Sequence, residues 1–254
     1  MAIPGHAEKI TKIPTWQDQV REQIERRYAR LAQDKVGTAF PGRRKKALMA
    51  GYPWNWLRYA PTTAVSMFSG CGFPFGDLDL SGVRDVIDLG SGAGLDACLI
   101  AQRLAPDGRV IAFDLTPAML ELARQSADGL GAGRVLPLAG DMERLPLADG
   151  SIDLVLANAS FNLALDKQVA FSEAARILRP GGRLAACDLV RNGDLPADLR
   201  ADPQAWNTSL GGVIGESEMH DFISKAGFEQ VRISGHRPFP PVTAVHIQAT
   251  KPVG

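Results

Sequence analysis

The chain has 254 residues, which is enough for one catalytic domain with an extension but short for two full domains. Its content of 45% hydrophobic and 22% charged residues is typical of a globular protein, and it excludes a disordered, collagen-like or coiled-coil chain. Lysine and arginine together number 28, as do aspartate and glutamate, so no net charge attracts the chain to nucleic acid.

The cysteines and the apolar segments indicate where the protein works. The three cysteines lie far apart and form no CxxC pair, which is typical of a reducing compartment rather than of a disulfide-stabilised fold. No apolar run approaches the roughly 20 residues that cross a bilayer, and the N-terminus lacks the apolar core of a secretory signal. We therefore expect a cytoplasmic protein, monomeric or homodimeric, with no bound metal and no membrane or nucleic-acid partner.

Residues 1–80 are predicted to form a helical extension, or lid, beside a main domain of residues 81–254. Apolar residues spaced by three and four positions predict an amphipathic helix at about residues 15–33. Aromatic side chains follow, and they either cover a small aromatic substrate or pack the helices together: Tyr52, Trp54, Trp56 and Tyr59. Basic residues also crowd this region, forming either a solvated helix face or a basic rim above an anionic substrate: Arg21, Arg26, Arg27, Arg30, Lys35, Arg43, Arg44, Lys45 and Lys46.

Strands and helices alternate from Val83 onward. Short apolar runs predict strands at residues 85–90, 109–114, 134–141, 151–158 and 183–190. A glycine turn and helix at 90–105 and helices at 116–127 and 166–178 connect them, the last ended by residues 180–182. A helix at about 216–226 then precedes two strands joined by only a loop, at 228–234 and 242–251, which predicts an antiparallel pair. The pattern predicts an α/β fold with a doubly wound, mostly parallel seven-stranded sheet.

A glycine-rich turn follows the first predicted strand. Gly90, Gly92 and Gly94 lie where open α/β sheets bind ligands, and glycines there let the backbone approach a ligand closely. The pattern is GxGxG, because Leu95 stands where the dinucleotide pattern GxGxxG is continued. Asp88 would repel a pyrophosphate, whereas it can accept hydrogen bonds from a cationic amino acid group. These features favour S-adenosylmethionine as the cofactor over NAD.

Polar residues end the other predicted parallel strands. Asp114 is placed to accept hydrogen bonds from both ribose hydroxyls, and Asp141 from the adenine amino group. Leu115 and Met142 would enclose the adenine ring, and Asn158 lies at the methyl-transfer site. The predicted cofactor-binding residues are Asp88, Gly90, Ser91, Gly92, Gly94, Asp114, Leu115, Met119, Asp141, Met142 and Asn158.

Four segments carry a resemblance to a known family: GCGFPFGDLDLSGVRDVIDLGSGAGLDACLIAQRL, VIAFDLTPAMLELAR, LAGDMERLPLADGSIDLVLANASFNLALDK and EAARILRPGGRLAACDLV. Together they resemble the arsenite methyltransferases, from about residue 52 to residue 228. The resemblance includes residues 70–72, residues 158–163 and Trp206 ahead of residues 210–212. It implies a Rossmann-like class I methyltransferase fold, with S-adenosylmethionine as cofactor and S-adenosylhomocysteine as product.

The same resemblance implies three cysteine thiolates as ligands for arsenite, because soft sulfur suits a soft metalloid. Cys71 matches one of these positions, but Ala159 and Ser209 stand at the other two. One thiolate does not make the trigonal site, so we expect arsenic methylation to be lost and the cavity to be retained. The predicted substrate-side residues are Asn162, Trp206, Ser209 and Cys71.

The leading hypothesis is methyl transfer by in-line displacement to an O, N, C or S atom of a small organic molecule. Aromatic molecules are the first acceptors to test. An arsenical methyltransferase that uses Cys71 with external thiols is the second hypothesis. A cofactor-binding protein with a non-methylating activity is the third, and a dinucleotide oxidoreductase is the weakest. The sequence identifies no catalytic base, and transfer from a sulfonium relies largely on positioning.

Overall fold

The structure is a computed structural model that describes residues 14–33, 41–129, 133–191, 193, 202, 204, 206 and 210–254. These residues form one eight-stranded sheet with helices around it. No helix in these ranges combines the length and the apolar character that a membrane span needs. The strands are β1 (Asp85–Leu89), β2 (Arg109–Asp114), β3 (Val135–Ala139), β4 (Ile152–Asn158), β5 (Leu178–Arg191), β6 (Ile214–Gly215), β7 (Glu229–Phe239) and β8 (Val242–Thr250).

The sheet has the strand order β3-β2-β1-β4-β5-β8-β7, with the two-residue β6 beside β5. Strands β1 to β6 pair in parallel, whereas β8 is antiparallel to both β5 and β7. The chain builds β1, β2 and β3 outward in one direction and then returns to place β4 on the other side of β1. The predicted doubly wound, mostly parallel α/β fold is confirmed, and β6 is the one strand of the described chain beyond the predicted seven.

Helices cover both faces of the sheet because successive residues of the buried strands alternate in direction. Val86 and Leu154 pack on the face that carries α5 and α6, and Ile87 and Val155 pack on the face that carries α7 and α8. The helices of the described chain are α1 (Trp16–Gln33), α2 (Pro41–Met49), α3 (Trp54–Leu57), α4 (Thr62–Ser66), α5 (Leu95–Ala101), α6 (Pro117–Asp128), α7 (Lys167–Ile177) and α8 (Glu216–Lys225).

The N-terminal helices share a core with the sheet. Tyr52, Phe68 and Phe73 are buried in the same cluster as Val86 and α5, and the Tyr52 ring packs against both phenylalanines. Trp56 packs against Phe73, so Tyr52 and Trp56 pack the N-terminal helices together. In the same segment, Trp54 is 57% exposed and Tyr59 is 60% exposed.

Several element boundaries differ from the predicted ones. Strand β5 begins at Leu178, directly after α7, and not at residue 183 as predicted. The segment 180–182 extends β5 instead of forming a separate turn, because Gly181 N–H and Gly182 C=O bond to the backbone of Lys251. A register shift in β4 opposite this segment accommodates the extra residues. Helix α5 spans 95–101, within the range 90–105 predicted for the glycine turn and its helix, and β3 ends at Ala139, two residues before Asp141.

Candidate active site

The candidate site lies at the carboxyl ends of the parallel strands, where the chain direction reverses. Strands β1 and β4 are neighbours, although β2 and β3 lie between them in the sequence. Open α/β sheets bind ligands in the crevice that this reversal creates. The residues predicted to bind a cofactor from β1, β2 and β4 therefore meet at one edge of the sheet.

The glycine turn after β1 is held close to β2 and β4. The N–H groups of Gly90 and Ser91 both donate to the carbonyl of Phe113, at 2.8 and 2.9 Å. Gly90 has a φ of +73°, and a Cβ added there would lie 2.5 Å from Cβ of Ser160. Glycine is required at this position because both the backbone conformation and the approach of β4 exclude a side chain.

Asp114, at the end of β2, organises the middle of the site. Its Oδ2 accepts a hydrogen bond from Gly92 N at 2.8 Å, and its Oδ1 accepts one from Thr116 N at 2.8 Å. Burial raises the pKa of this carboxyl, and these backbone donors act in the opposite direction. The carboxylate lines the cleft, where its remaining lone pairs can accept hydrogen bonds from a ligand.

Two connected pockets form the cleft, and both are lined by Ser69, Gly90, Gly92 and Asn158. The first also contains the predicted adenine-side residues, and the second lies at Asp88. Their cavity volumes are about 90 Å³ and about 40 Å³, well below the roughly 300–1,000 Å³ of typical ligand pockets. Helix α1 contributes Arg21, Ile24 and Tyr28 to the wall of the first pocket.

Helix α1 is fastened to the predicted adenine end by an ion-pair group. Arg21 Nε lies 2.8 Å from Oδ2 of Asp141, and Arg21 Nη2 lies 2.9 Å from Oε2 of Glu143. Glu143 Oε1 in turn accepts the N–H groups of Leu165 and Asp166. Asp141 and Met142 line the pocket as predicted from the sequence, but Arg21 and Glu143 were not predicted to bind there.

The far end of the cleft holds two buried carboxyl groups. Asp88 in β1 is 2% exposed, and its Oδ2 accepts a hydrogen bond from Ala97 N at 3.1 Å. Asp96, in the first turn of α5, lines the same pocket. Burial raises the pKa of Asp96 to about 6 and, together with the charge of Asp96, holds the pKa of Asp88 well above its usual range. A cation bound between them would be stabilised by both carboxylates.

Asn158 connects this acidic end to the N-terminal region. Its Nδ2 donates to Oδ2 of Asp96 at 2.9 Å, to the Tyr52 hydroxyl at 2.9 Å and to the carbonyl of Gly72 at 2.8 Å. Its Oδ1 accepts the N–H of Cys71 at 2.9 Å. The Tyr52 hydroxyl donates to Oδ1 of Asp96 and completes the network. Asn158 thus fixes the segment 70–72 against the cleft, in addition to lining it.

The chemistry of the cleft fits S-adenosylmethionine, whose reactive part is a sulfonium carrying an amino acid. Among the charged side chains that line the cleft, five are carboxylates. Arg21, the one cation among the described lining residues, is already paired with Asp141. A pyrophosphate would meet like charge at Asp88 and Asp114, which disfavours a dinucleotide. Ser91 Oγ is buried without a hydrogen-bond partner in the described part of the chain, which leaves a polar group for a ligand.

The predicted acceptor side is apolar around Cys71. Cys71 and Cys187 are buried in one cluster with Leu189 and Val213, and Ala159 packs against it. Burial raises the pKa of both thiols, so neither is a ready thiolate. Among the residues that the structure describes, no group of three or more His, Cys, Asp or Glu side chains is arranged to hold a metal ion. Ser209 lies outside the described residues.

Three predicted site residues lie behind the cleft and do not line its two pockets. Met119 packs with Met67 and Ala93 in a buried cluster next to the glycine turn. Asn162 is completely buried, and its backbone N–H donates to Asp188. The remaining one, Trp206, packs against α1 residues and the ring of Trp16, whose centroid is 5.9 Å away.

Besides Arg21 and Glu143, two further polar groups of the site were not predicted from the sequence. Asp96 had a signal, since an acid in the first turn of a helix next to a glycine turn is a candidate ligand. Tyr52 had none as a polar residue, because its hydroxyl meets Asp96 across 44 positions of sequence. Gly94 caps α5 with a φ of +81° and lies outside the two pockets, while Leu115 and Ser91 line them as predicted.

The comparison with known proteins identifies a family. A family model described as a methyltransferase domain matches residues 81–227. The chain belongs to this family. It is also similar to an arsenite methyltransferase of Halobacterium salinarum, 39% identical over 165 residues that make up 65% of this chain and 42% of that protein.

Two further relatives widen the comparison. The malonyl-[acyl-carrier protein] O-methyltransferase of Hahella chejuensis is 34% identical over 154 residues, which are 59% of this chain and 50% of that protein. The crystal structure of an arsenic(III) S-adenosylmethionine methyltransferase from Chlamydomonas reinhardtii matches with a TM-score of 0.62 and 29% identity, covering 84% of this chain and 74% of that one. The chain spans half or less of the length of the Halobacterium and Hahella proteins. The predicted resemblance to the arsenite methyltransferases is confirmed.

Proposed function

We propose that the protein transfers the methyl group of S-adenosylmethionine to a small organic molecule. The observation that carries the proposal is the row of carboxylates along the cleft, with Asp114 in the middle and Asp88 and Asp96 at one end. An uncharged nucleoside joined to a cationic amino acid sulfonium matches this row, and a phosphate does not. Membership of the methyltransferase-domain family supports the same proposal.

Each part of the cleft has a proposed task. Asp114 would accept hydrogen bonds from the ribose hydroxyls, and Met142 and Leu115 would enclose the adenine ring. The carboxylates of Asp88 and Asp96 would hold the amino group of the methionine portion. Helix α1 would close over the adenosine, with Arg21 bound to Asp141 and Glu143, and would exclude water.

The bound cofactor supplies an electrophilic methyl carbon on a sulfonium sulfur. With the cofactor held by Asp88, Asp96 and Asp114, the protein would orient the acceptor so that its lone pair faced the methyl carbon in line with the S–CH₃ bond, whose electron pair would stay on sulfur. If the acceptor atom carried a proton, that proton leaves to solvent. Such positioning contributes about 7–11 kcal/mol in favourable intramolecular reactions, so no strong base is required of the chain.

The acceptor side supports an organic substrate more than arsenite. Cys71 lies in an apolar cluster beside Ala159, which offers no ligand to a metalloid. The malonyl O-methyltransferase among the relatives bears the name of an enzyme that methylates an organic acyl group. A soft thiophile gains little from a single neutral thiol at this position.

Methylation of a trivalent arsenical is the second candidate, and one specific observation favours it. Cys187 lies in the same buried cluster as Cys71, and a Cβ added at Gly72 would overlap its sulfur. The chain therefore brings two thiols together, whereas its match to the family's three cysteine positions predicts only Cys71. The similarity to arsenite methyltransferases at 39% identity also supports this candidate.

The proposal is tested in two steps with purified protein. Isothermal titration calorimetry with S-adenosylhomocysteine measures binding in the cleft, and Asp128→Asn, on the exposed face of α6, serves as the control for Asp114→Asn. A coupled assay then measures S-adenosylhomocysteine formation with organic acceptors and with arsenite plus glutathione. Tight binding without turnover on any acceptor would point to a non-methylating activity, and the absence of binding would refute the proposal.

A further inference from the structure

A second cavity lies on the other side of the segment that carries Cys71. It is enclosed by helix α2, by residues 70–71 and by the end of the β7–β8 hairpin, and its volume is about 580 Å³. That volume falls within the roughly 300–1,000 Å³ range of small-molecule sites. It is much larger than either cofactor-side pocket, and no step proposed so far uses it.

The described residues around this cavity are cationic without counterions. Lys45, Lys46 and Arg237 line it, and no acidic side chain does. Lys46 forms no ion pair with any carboxylate in the described part of the chain; burial first, and the charge of Arg43 second, lower its pKa. The Arg237 guanidinium donates to the carbonyls of Met49 and Cys71, and these bonds leave its charge uncompensated.

The rest of the cavity wall is apolar. Met49, Pro238, Phe239 and Pro240 line it, and Met49 is 73% exposed. The Lys46 ammonium lies 5.7 Å from the centroid of the Phe239 ring, so charge and apolar surface are adjacent. A ligand that satisfies both surfaces has an anionic group and an apolar body, because either feature alone leaves half of the wall unmatched.

One backbone segment separates this cavity from the cofactor cleft. Gly70 lines both the cavity and the pocket that contains Asp88 and Asp96. A Cβ at Gly70 would lie 2.6 Å from the Asn158 amide, so the wall is as thin as a backbone can be. Asn158 holds this segment from the cleft side, and Arg237 holds the carbonyl of Cys71 from the cavity side.

We propose that this cationic cavity binds a small organic acid with an apolar body, at a site separate from the cofactor cleft. The inference goes beyond the proposed function, because the segment 70–71 lies between this cavity and the cleft. Carboxylate and phosphate groups share the chemistry that Lys45, Lys46 and Arg237 recognise. The apolar body then lies along Met49 and Phe239.

The test compares acids with neutral molecules of the same shape. The probes are 4-hydroxybenzoate against 4-hydroxybenzamide, phenyl phosphate against phenol, and hexanoate against hexanamide. Binding is measured by calorimetry to the free protein and to the protein saturated with S-adenosylhomocysteine. We expect at least one acid to bind about tenfold more tightly than its neutral counterpart and to weaken with added salt.

Variants assign that binding to the cavity. Lys46→Met keeps the apolar stem and should weaken the acid about tenfold, Lys46→Arg should restore it, and Lys225→Met at the end of α8 should change nothing. S-adenosylhomocysteine binding should stay constant in Lys46→Met, because the cofactor cleft is a separate site.

Two results would overturn the proposal: equal binding of every acid and its neutral counterpart, or acid binding that does not respond to Lys46→Met. Failure of the proposed function is a separate result, because it is the loss of S-adenosylhomocysteine binding in the wild-type protein. Acid binding to the free protein remains measurable in that case.

Discussion

The cofactor side and the acceptor side of the cleft share the segment 69–72, yet they differ in how closely they follow the pattern of the family. The cofactor side keeps the polar groups that the pattern predicts near the strand ends, including Asp114 and Asn158. The acceptor side keeps Cys71 and has Ala159 at a second thiolate position. The difference is one of chemistry, because the cofactor is fixed while the acceptor varies among methyltransferases.

The comparison also separates two kinds of constraint. On the cofactor side, Asp114 bonds to the glycine turn and to helix α6, so the same carboxylate supports the fold and the ligand. On the acceptor side, Ala159 fills an apolar position without any hydrogen bond from a side chain. Function can change there without loss of the fold, which is why similarity along the chain does not identify the acceptor.

The largest effect is expected on the cofactor side, at Asp114. Asp114→Ala removes the proposed acceptor of two ribose hydroxyls, a loss of about 3 kcal/mol that corresponds to about a hundredfold weaker binding of S-adenosylhomocysteine. Calorimetry measures it, and Asp128→Asn, which affects an exposed ion pair on α6, is the control. An Asp114→Ala protein that is folded and binds as tightly as the wild type would remove Asp114 from the site.

The next effect tests the acceptor side by restoring what the family pattern contains. The double variant Ala159→Cys, Ser209→Cys should show arsenite-dependent formation of S-adenosylhomocysteine at least about tenfold above that of the wild type, since it restores the three cysteines of the family pattern. Ala159→Cys alone is the matched control and should remain near the wild-type level. High arsenite turnover in the wild type would show instead that Cys71 and Cys187 suffice.

A pH series tests the acidic end of the cleft. The pKa of Asp96 is raised to about 6, and a bound ammonium group favours its ionised form, so binding releases a proton where Asp96 is protonated. Affinity for S-adenosylhomocysteine should therefore be full near pH 8 and about tenfold lower at pH 5. Asp96→Asn should bind more weakly at pH 8 with a flatter profile, and Asp107→Asn, on the surface, should follow the wild type.

The smallest effect is expected at the ion pairs of helix α1. Arg21→Gln breaks the pairs with Asp141 and Glu143, which are partly exposed, so it should speed the release of S-adenosylhomocysteine by only about threefold. Stopped-flow fluorescence of the bound protein measures the release rate. Arg26→Gln, which breaks an exposed pair with Glu22 on the same helix, should leave the rate unchanged. An equal change in both variants would assign the effect to helix stability.

Local patterns predicted the sheet and the cofactor side well. Alternation of apolar runs with glycine turns predicts β1, β2 and β4. A polar residue at the carboxyl end of a parallel strand lies at the edge of the sheet where ligands bind. Asp114 and Asn158 were predicted on that basis, and both line the cleft. The start of β5 was predicted wrongly because of its glycines. Residues 180–182 have the pattern of a turn, but pairing with Lys251 extends β5 through them.

Contacts between distant segments were beyond the reach of those patterns. The Arg21–Asp141 pair joins positions 120 residues apart, and the Tyr52–Asp96 bond joins positions 44 apart. Both depend on how the N-terminal helices pack on the sheet, which periodicity does not determine. The same packing creates the cationic cavity, where Lys46 and Arg237 meet from opposite ends of the chain.

The most direct test of the account is S-adenosylhomocysteine production by the purified wild-type protein, given S-adenosylmethionine with either arsenite plus glutathione or a panel of small organic acceptors. The account predicts turnover with at least one organic acceptor and none that depends on arsenite. Turnover that requires arsenite, in a protein indifferent to every organic acceptor, would contradict it and would assign the chain to arsenical methylation.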